Sequence, residues 1–191
     1  MSDQSVNEVT RLLIGSETGG DAAFSMAVER LYPELRRLAG YHSPSAGAFT
    51  LSATDILHEA FLKLSSHNDG FKNRNHFMAV ASKAMRQVII DYARRKATKK
   101  RAGNMRRVDF DDVQIGVMDQ AEELLMLDQA LDALSIENLR AARVFECRFF
   151  GGMTDKETSE ALAIPLRTAQ REWMKAKAFM SHFYEVETQK S

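Results

Sequence analysis

Phe77-Met78-Ala79-Val80-Ala81-Ser82-Lys83-Ala84-Met85-Arg86-Gln87-Val88-Ile89-Ile90-Asp91-Tyr92 is the stretch on which the fold class turns. Phe77, Val80, Ala81, Ala84, Met85, Val88, Ile89 and Tyr92 recur at spacings of three and four. At about 100° per residue they fill one side of an α-helix, and Lys83, Arg86 and Arg94 fall on the other. One side packs, and the basic side is left to meet nucleic acid. No stretch alternates apolar and polar residues with Val, Ile and Thr enrichment, so strands are not expected and the class is all-α.

Outward from this helix, the pattern repeats. Towards the N-terminus, a short helix is expected over Val6 to Ile14 and a break over Gly15 to Gly20. Asp21 then caps a helix carrying Phe24, Val28, Leu31, Leu35 and Leu38, which Pro33 should kink. Ser43 to Thr50 reads as a loop, and Ser52-Ala53-Thr54-Asp55 has the form of a capping box opening a third helix with Ile56, Leu57, Ala60, Phe61 and Leu64 on one face. Ser65 to Asn75 is polar and contains a turn signal at Asn68-Asp69-Gly70.

The net charge of zero over 191 residues conceals a segregation. Lys83 to Arg107 carries ten bases and one acid, whereas Asp109 to Asp128 carries seven acids and no base. The basic block suits a polyanion, because Lys and Arg release counterions from phosphates. The acidic stretch lacks a helical period, so the chain divides into a first helical domain at 1–103, an acidic linker at 104–123 and a second domain at 124–191. In the second domain Leu127, Leu131 and Leu134 mark one helix, and Ser135 ends it or caps the next. Leu139 to Phe150 forms another helix, closed by Gly151-Gly152.

A short helix from Thr154 to Leu162, a break at Ala163-Ile164-Pro165 and a long helix from Leu166 to Tyr184 make a helix-turn-helix, with Thr154 and Glu157 as its capping box. Leu166, Ala169, Trp173, Ala176, Met180 and Phe183 form the packing side of the last helix. Arg167, Thr168, Arg171 and Lys175 face outward with Gln170 at their edge, and these types bond phosphates and base edges.

Other chemistry is weakly represented. His58-Glu59-Ala60-Phe61-Leu62 starts like a zinc-protease helix, but Leu62 stands where the second histidine belongs. The five histidines show no ligand spacing, and the glycines before Asp21 lead into no phosphate loop. Cys147 lies between Phe145 and Phe149 and reads as a buried apolar residue. No enzyme, metal or cofactor is expected. The longest apolar run, Phe77 to Ala81, is far short of the roughly 20 residues of a membrane span, and the N-terminus lacks a signal pattern, so a cytoplasmic protein is expected.

Two stretches carry a family resemblance. Leu57-His58-Glu59-Ala60-Phe61-Leu62-Lys63-Leu64 and Met85-Arg86-Gln87-Val88-Ile89-Ile90-Asp91-Tyr92-Ala93-Arg94-Arg95 resemble x-x-E-x-F-L-(R/K)-L and A-R-N-x-x-x-D-x-x-R-R of the extracytoplasmic-function sigma factors, small bacterial initiation subunits of RNA polymerase. Thr154 to Ile164 is similar to the family's S-x-x-E-I-A-x-x-L-G-I, with Thr158, Ser159 and Ala163 departing from it. Of the family's G-T-V-K-S-R at the start of the recognition helix, only Thr168 is kept.

The resemblance implies a sigma factor that binds core RNA polymerase and promoter DNA. Asn73, Arg74, Asn75, Arg86, Gln87, Arg94 and Arg95 would face the separated −10 strand, and Arg167, Thr168, Gln170, Arg171 and Lys175 the −35 element. The family's acidic helix start, Asp-Ala-Glu-Asp, docks on the β′ subunit; here it is Ser52, Ala53, Thr54 and Asp55, with Glu59 one turn on. Two carboxylates have become hydroxyls. Either Ser52 and Thr54 only support the helix start, or a Ser/Thr protein kinase restores the charge at Thr54, as in similar sigma factors paired with kinases. A helix-turn-helix regulator acting without polymerase is the alternative, but it leaves the basic side of the Phe77–Tyr92 helix unexplained.

Overall fold

A computed structural model describes residues 3–15, 21–42, 52–65, 70–97 and 121–190. Among these residues the protein is all-α, with no strand: α1 (Asp3–Gly15), α2 (Asp21–His42), α3 (Ala53–Ser65), α4 (Arg74–Ala97), α5 (Ala121–Glu137), α6 (Leu139–Phe145), a π-helical turn (Glu146–Phe150), α7 (Asp155–Ala161) and α8 (Leu166–Lys190). Residues 16–20 of the expected break, the loop at 43–50, Asn68-Asp69 and residues 104–120 of the expected linker lie outside the described residues, as do Lys99, Lys100, Arg101, Arg106 and Arg107, whereas Gly15 still belongs to α1 and residues 121–123 of that linker open α5. No helix among the described residues is long and apolar enough to cross a membrane.

In the N-terminal unit, α4 packs on α1 and α3, and α2 packs on both of these. Phe77 is fully buried and lies 5.0 Å edge-on to Phe71, which stacks at 5.9 Å on Phe24; Phe24 stacks in turn on Phe61 at 5.8 Å. α2 runs unbroken through Pro33 because that residue faces solvent, where the carbonyl one turn back can bond water instead of the missing N–H.

In the C-terminal unit α5, α6 and α7 pack on α8. Phe145 stacks on Phe149 at 4.9 Å and tilts against Trp173 at 5.6 Å, while the Arg148 guanidinium lies 4.7 Å over the Trp173 ring and pairs with Asp155. Two expectations are corrected here. Ser135 neither ends α5 nor caps α6, because its hydroxyl bonds back to the Asp132 carbonyl while Asn138 accepts from the Ala141 N–H as the cap. Leu139 to Phe150 is not one α-helix either, since it widens into the π-helical turn, closed by the Gly151 N–H on the Glu146 carbonyl at 3.2 Å.

The units meet along α4, which packs against α5, the π-helical turn and α7, and the buried apolar residues of both form one contiguous cluster. That turn puts Glu146 and Gly151 on the side facing α4. Gly151 is pressed so tightly on α4 that a Cβ there would lie 2.3 Å from the Ser82 hydroxyl and 2.4 Å from the Cys147 carbonyl, so only glycine fits.

Candidate nucleic-acid interface

α4 begins at a side-chain cap. Asn73 Oδ1 accepts from the His76 N–H at 2.8 Å, which gives this residue a structural task at the helix start. Arg74, the next residue, is buried, and its Nη2 donates to both Glu34 carboxylate oxygens at 2.5 and 2.6 Å. Its Nη1 donates to Asn75 Oδ1 at 2.9 Å and lies 3.8 Å from Glu157 of α7. Asn75 Nδ2 donates to Glu160, also on α7, at 2.6 Å.

Further along the helix, Arg86 enters a ring of carboxylates. Its Nη2 donates to Asp128 at 2.6 Å and Asp132 at 2.8 Å, and its Nη1 to Glu146 at 2.7 Å. Only 14% of the side chain is exposed. Burial opposes the charge of Arg86, but the bonds to Glu146, Asp128 and Asp132 outweigh it and hold the guanidinium more firmly protonated. Arg94, more than half exposed, donates to the second Asp128 oxygen at 2.8 Å. Arg86 is thus held by carboxylates of the C-terminal unit, and helical spacing, which separates the two sides of α4, carries no sign of partners more than 40 residues away. Lys83, Gln87 and Arg95 lie at exposed positions, Arg95 bonding back to the Asp91 carbonyl at 3.2 Å.

The helical pair near the C-terminus is built as its spacing suggests. Thr154 and Glu157 form the capping box of α7, each bonding the other's backbone N–H at 3.3 and 2.9 Å. In the turn, Ser159 Oγ donates to the Ile164 carbonyl at 2.6 Å, and Ala163 takes a left-handed φ of 51°. On α8, Arg167, Gln170, Arg171 and Lys175 are exposed and Thr168 is half-buried, with Gln170 reaching Asp155 at 3.5 Å.

Leu166, expected to pack, is exposed, because it stands at the open first turn of the helix. Glu172 is instead buried, accepting from Asn138 at 2.8 Å, Lys175 at 3.2 Å and Arg171 at 3.4 Å. Burial alone would raise its pKa, but those donors more than offset this and hold the carboxyl below its ordinary range. Sequence spacing does not single this residue out, nor does it mark Glu34, Asp128, Asp132 or Glu146.

At the other end of the N-terminal unit, α3 opens with a reciprocal cap. The Asp55 N–H donates to Ser52 Oγ at 3.2 Å, while the Ser52 N–H and hydroxyl both donate to Asp55 Oδ2 at 2.9 and 2.7 Å. The hydroxyl and backbone bonds from Ser52 lower the pKa of Asp55. Thr54, Asp55, His58 and Glu59 share an exposed side, and Ile56, Leu57 and Ala60 are buried behind it. The Cys147 thiol is buried and pushed up to about 12 by desolvation, which leaves it unreactive.

No curated protein and no solved structure matches the chain. The family model described as "ECF sigma factor" matches residues 6–186. Spanning both helical units and the segment between them, this match shows that the chain belongs to the ECF sigma factor family.

Proposed function

We propose that this chain is an alternative sigma factor whose docking on core RNA polymerase is controlled by phosphorylation of Thr54. Its family membership carries the first part: ECF sigma factors act in transcription initiation, with core polymerase and promoter DNA as partners. In this reading the first domain, 1–103, holds the separated −10 strand through Asn73, Arg74, Asn75, Arg86, Gln87, Arg94 and Arg95. The second, 124–191, uses α7 and α8 as a helix-turn-helix that sets Arg167, Thr168, Gln170, Arg171 and Lys175 against the −35 element. The acidic segment between them follows polymerase, and the protein works in the cytoplasm.

The state of Asp55 supports the switch. Its Oδ2 is taken up by Ser52 of its own cap, so the carboxylate of that exposed side best placed for a partner is Glu59. Thr54 stands beside it, exposed in the first helical turn. A phosphate there adds about 1.5 to 2 negative charges, which the positive end of the α3 dipole favours.

The test compares unmodified protein with Thr54→Glu in binding to core polymerase and in promoter-directed transcription. Binding and initiation by the acidic form alone are the expected result. Equal activity of both forms makes the hydroxyls mere caps, and unchanged transcription by Thr54→Ala under inducing conditions defeats the switch. Failure of every form to bind core defeats the sigma-factor assignment of this surface.

A further inference from the structure

The outward side of α8 carries a residue whose presence phosphate binding does not explain. Met174 is 62% exposed, although a methionine gains from burial. At about 100° and 1.5 Å per residue it falls about 20° from Arg167 in angle and roughly 10 Å further along the axis, with Gln170 on one flank and Arg171 on the other. The exposed Ala178 continues the same line one turn later. Lys175 stands aside from this line, held to the buried Glu172 at 3.2 Å, as Arg171 is at 3.4 Å. Beyond Arg171, then, the centre of the side turns apolar while its cations keep to the flanks.

An apolar side chain bonds neither phosphate oxygens nor the donors and acceptors of base edges. The major groove offers it one match, the C5-methyl group of thymine, which no other standard base carries. Methionine suits that contact, being unbranched, flexible and polarisable enough to follow a methyl group. We propose that Met174 is a specificity-determining residue, packing its thioether end on a thymine methyl in the upstream element while the cations on either side hold the phosphates. This inference rests on the proposed placing of α8 against that element. It adds to the hydrogen bonding of Thr168 and Gln170 a reading made by shape and the exclusion of water.

The test assembles holoenzyme from core polymerase and the full chain, in whichever of the unmodified and Thr54→Glu forms binds core, and selects bound sequences from a randomised promoter-length duplex. Each thymine of the enriched upstream element is then replaced in turn by uracil, which removes the methyl and leaves every donor and acceptor of the edge in place. The expected result is a thymine at which uracil weakens binding about fourfold, the worth of one buried methyl. Met174→Ala should bind the thymine duplex more weakly and should no longer distinguish it from the uracil duplex, whereas Met174→Leu should keep part of the discrimination. Because no phosphate contact changes, the log-log salt slope of both variants should match that of the parent.

An enriched element in which no thymine responds to uracil overturns the proposal, as does discrimination that survives undiminished in Met174→Ala. So does a loss in Met174→Ala that is equal on the enriched element and on a scrambled one, because Met174 then meets protein or DNA without regard to sequence. Each of these results leaves the assignment of α8 standing as long as Arg171→Ala weakens binding to the enriched element. If neither form binds core, or no upstream sequence is enriched, that assignment fails and takes this inference with it.

Discussion

Glu172 shows how one buried carboxylate sets the stance of a helix's basic face. It ties α8 to the Asn138 cap of α6 and draws Lys175 and Arg171 against the helix, limiting where both can point. Because its folded pKa lies below the ordinary 4.5, its contribution is present above that value and is lost as pH falls through the folded pKa. Glu172→Gln should therefore be less stable than the parent near neutrality, by about 1.5 kcal/mol, the scale of a hydrogen bond to a charged group. The gap should close on acidification, as thermal melts from about pH 7 to about pH 3 would record. A gap independent of pH would mean that packing, not charge, holds the residue. Helical period alone puts 172 on the same side as Ala169 and Ala176, both buried. Residue type argues for the solvent side, and the deciding partner lies 34 residues away, beyond anything local spacing encodes.

At the scale of elements, the turn between α7 and α8 carries a measurable strain. Ala163 holds a φ of 51°, where a Cβ crowds the following carbonyl, and the related family pattern has Gly at this position. Ala163→Gly should raise stability by about 1 kcal/mol, read as a higher urea midpoint with unchanged slope. The existence of α1 through α5, the two capping boxes and the α7–α8 pair are all legible in the sequence, since apolar spacing and cap chemistry act over one or two turns. The π-helical turn is not. Phe145, Phe149 and Phe150 are apolar in either winding, and the choice depends on how Gly151 must approach α4. The end of α5 is hidden for a similar reason: Ser135 and Asn138 are both cap formers, and only backbone geometry selects between them.

For the whole molecule, the charge pattern and the two motif stretches announce a polyanion-binding protein, yet they cannot announce that its bases pair internally. Arg86 and Arg94 of the basic block share Asp128, the last acid of the acidic one, and Arg86 adds Glu146, once α5 and the π-helical turn lie across α4. Ionic attraction would let such a seam loosen by degrees, because it fades slowly with distance. The contact of Gly151 with Ser82 does not allow this. Dispersion between touching atoms loses a quarter to a half of its strength over a gap of about 0.5–1 Å, so the first small displacement forfeits much of the fit. Separation should accordingly resemble the release of a catch, with few molecules lingering part-way. Distances measured one molecule at a time between labels on α3 and α8 should fall into two resolved populations whose proportions, not positions, change as urea is added. One distribution sliding continuously would show a compliant joint in place of a catch.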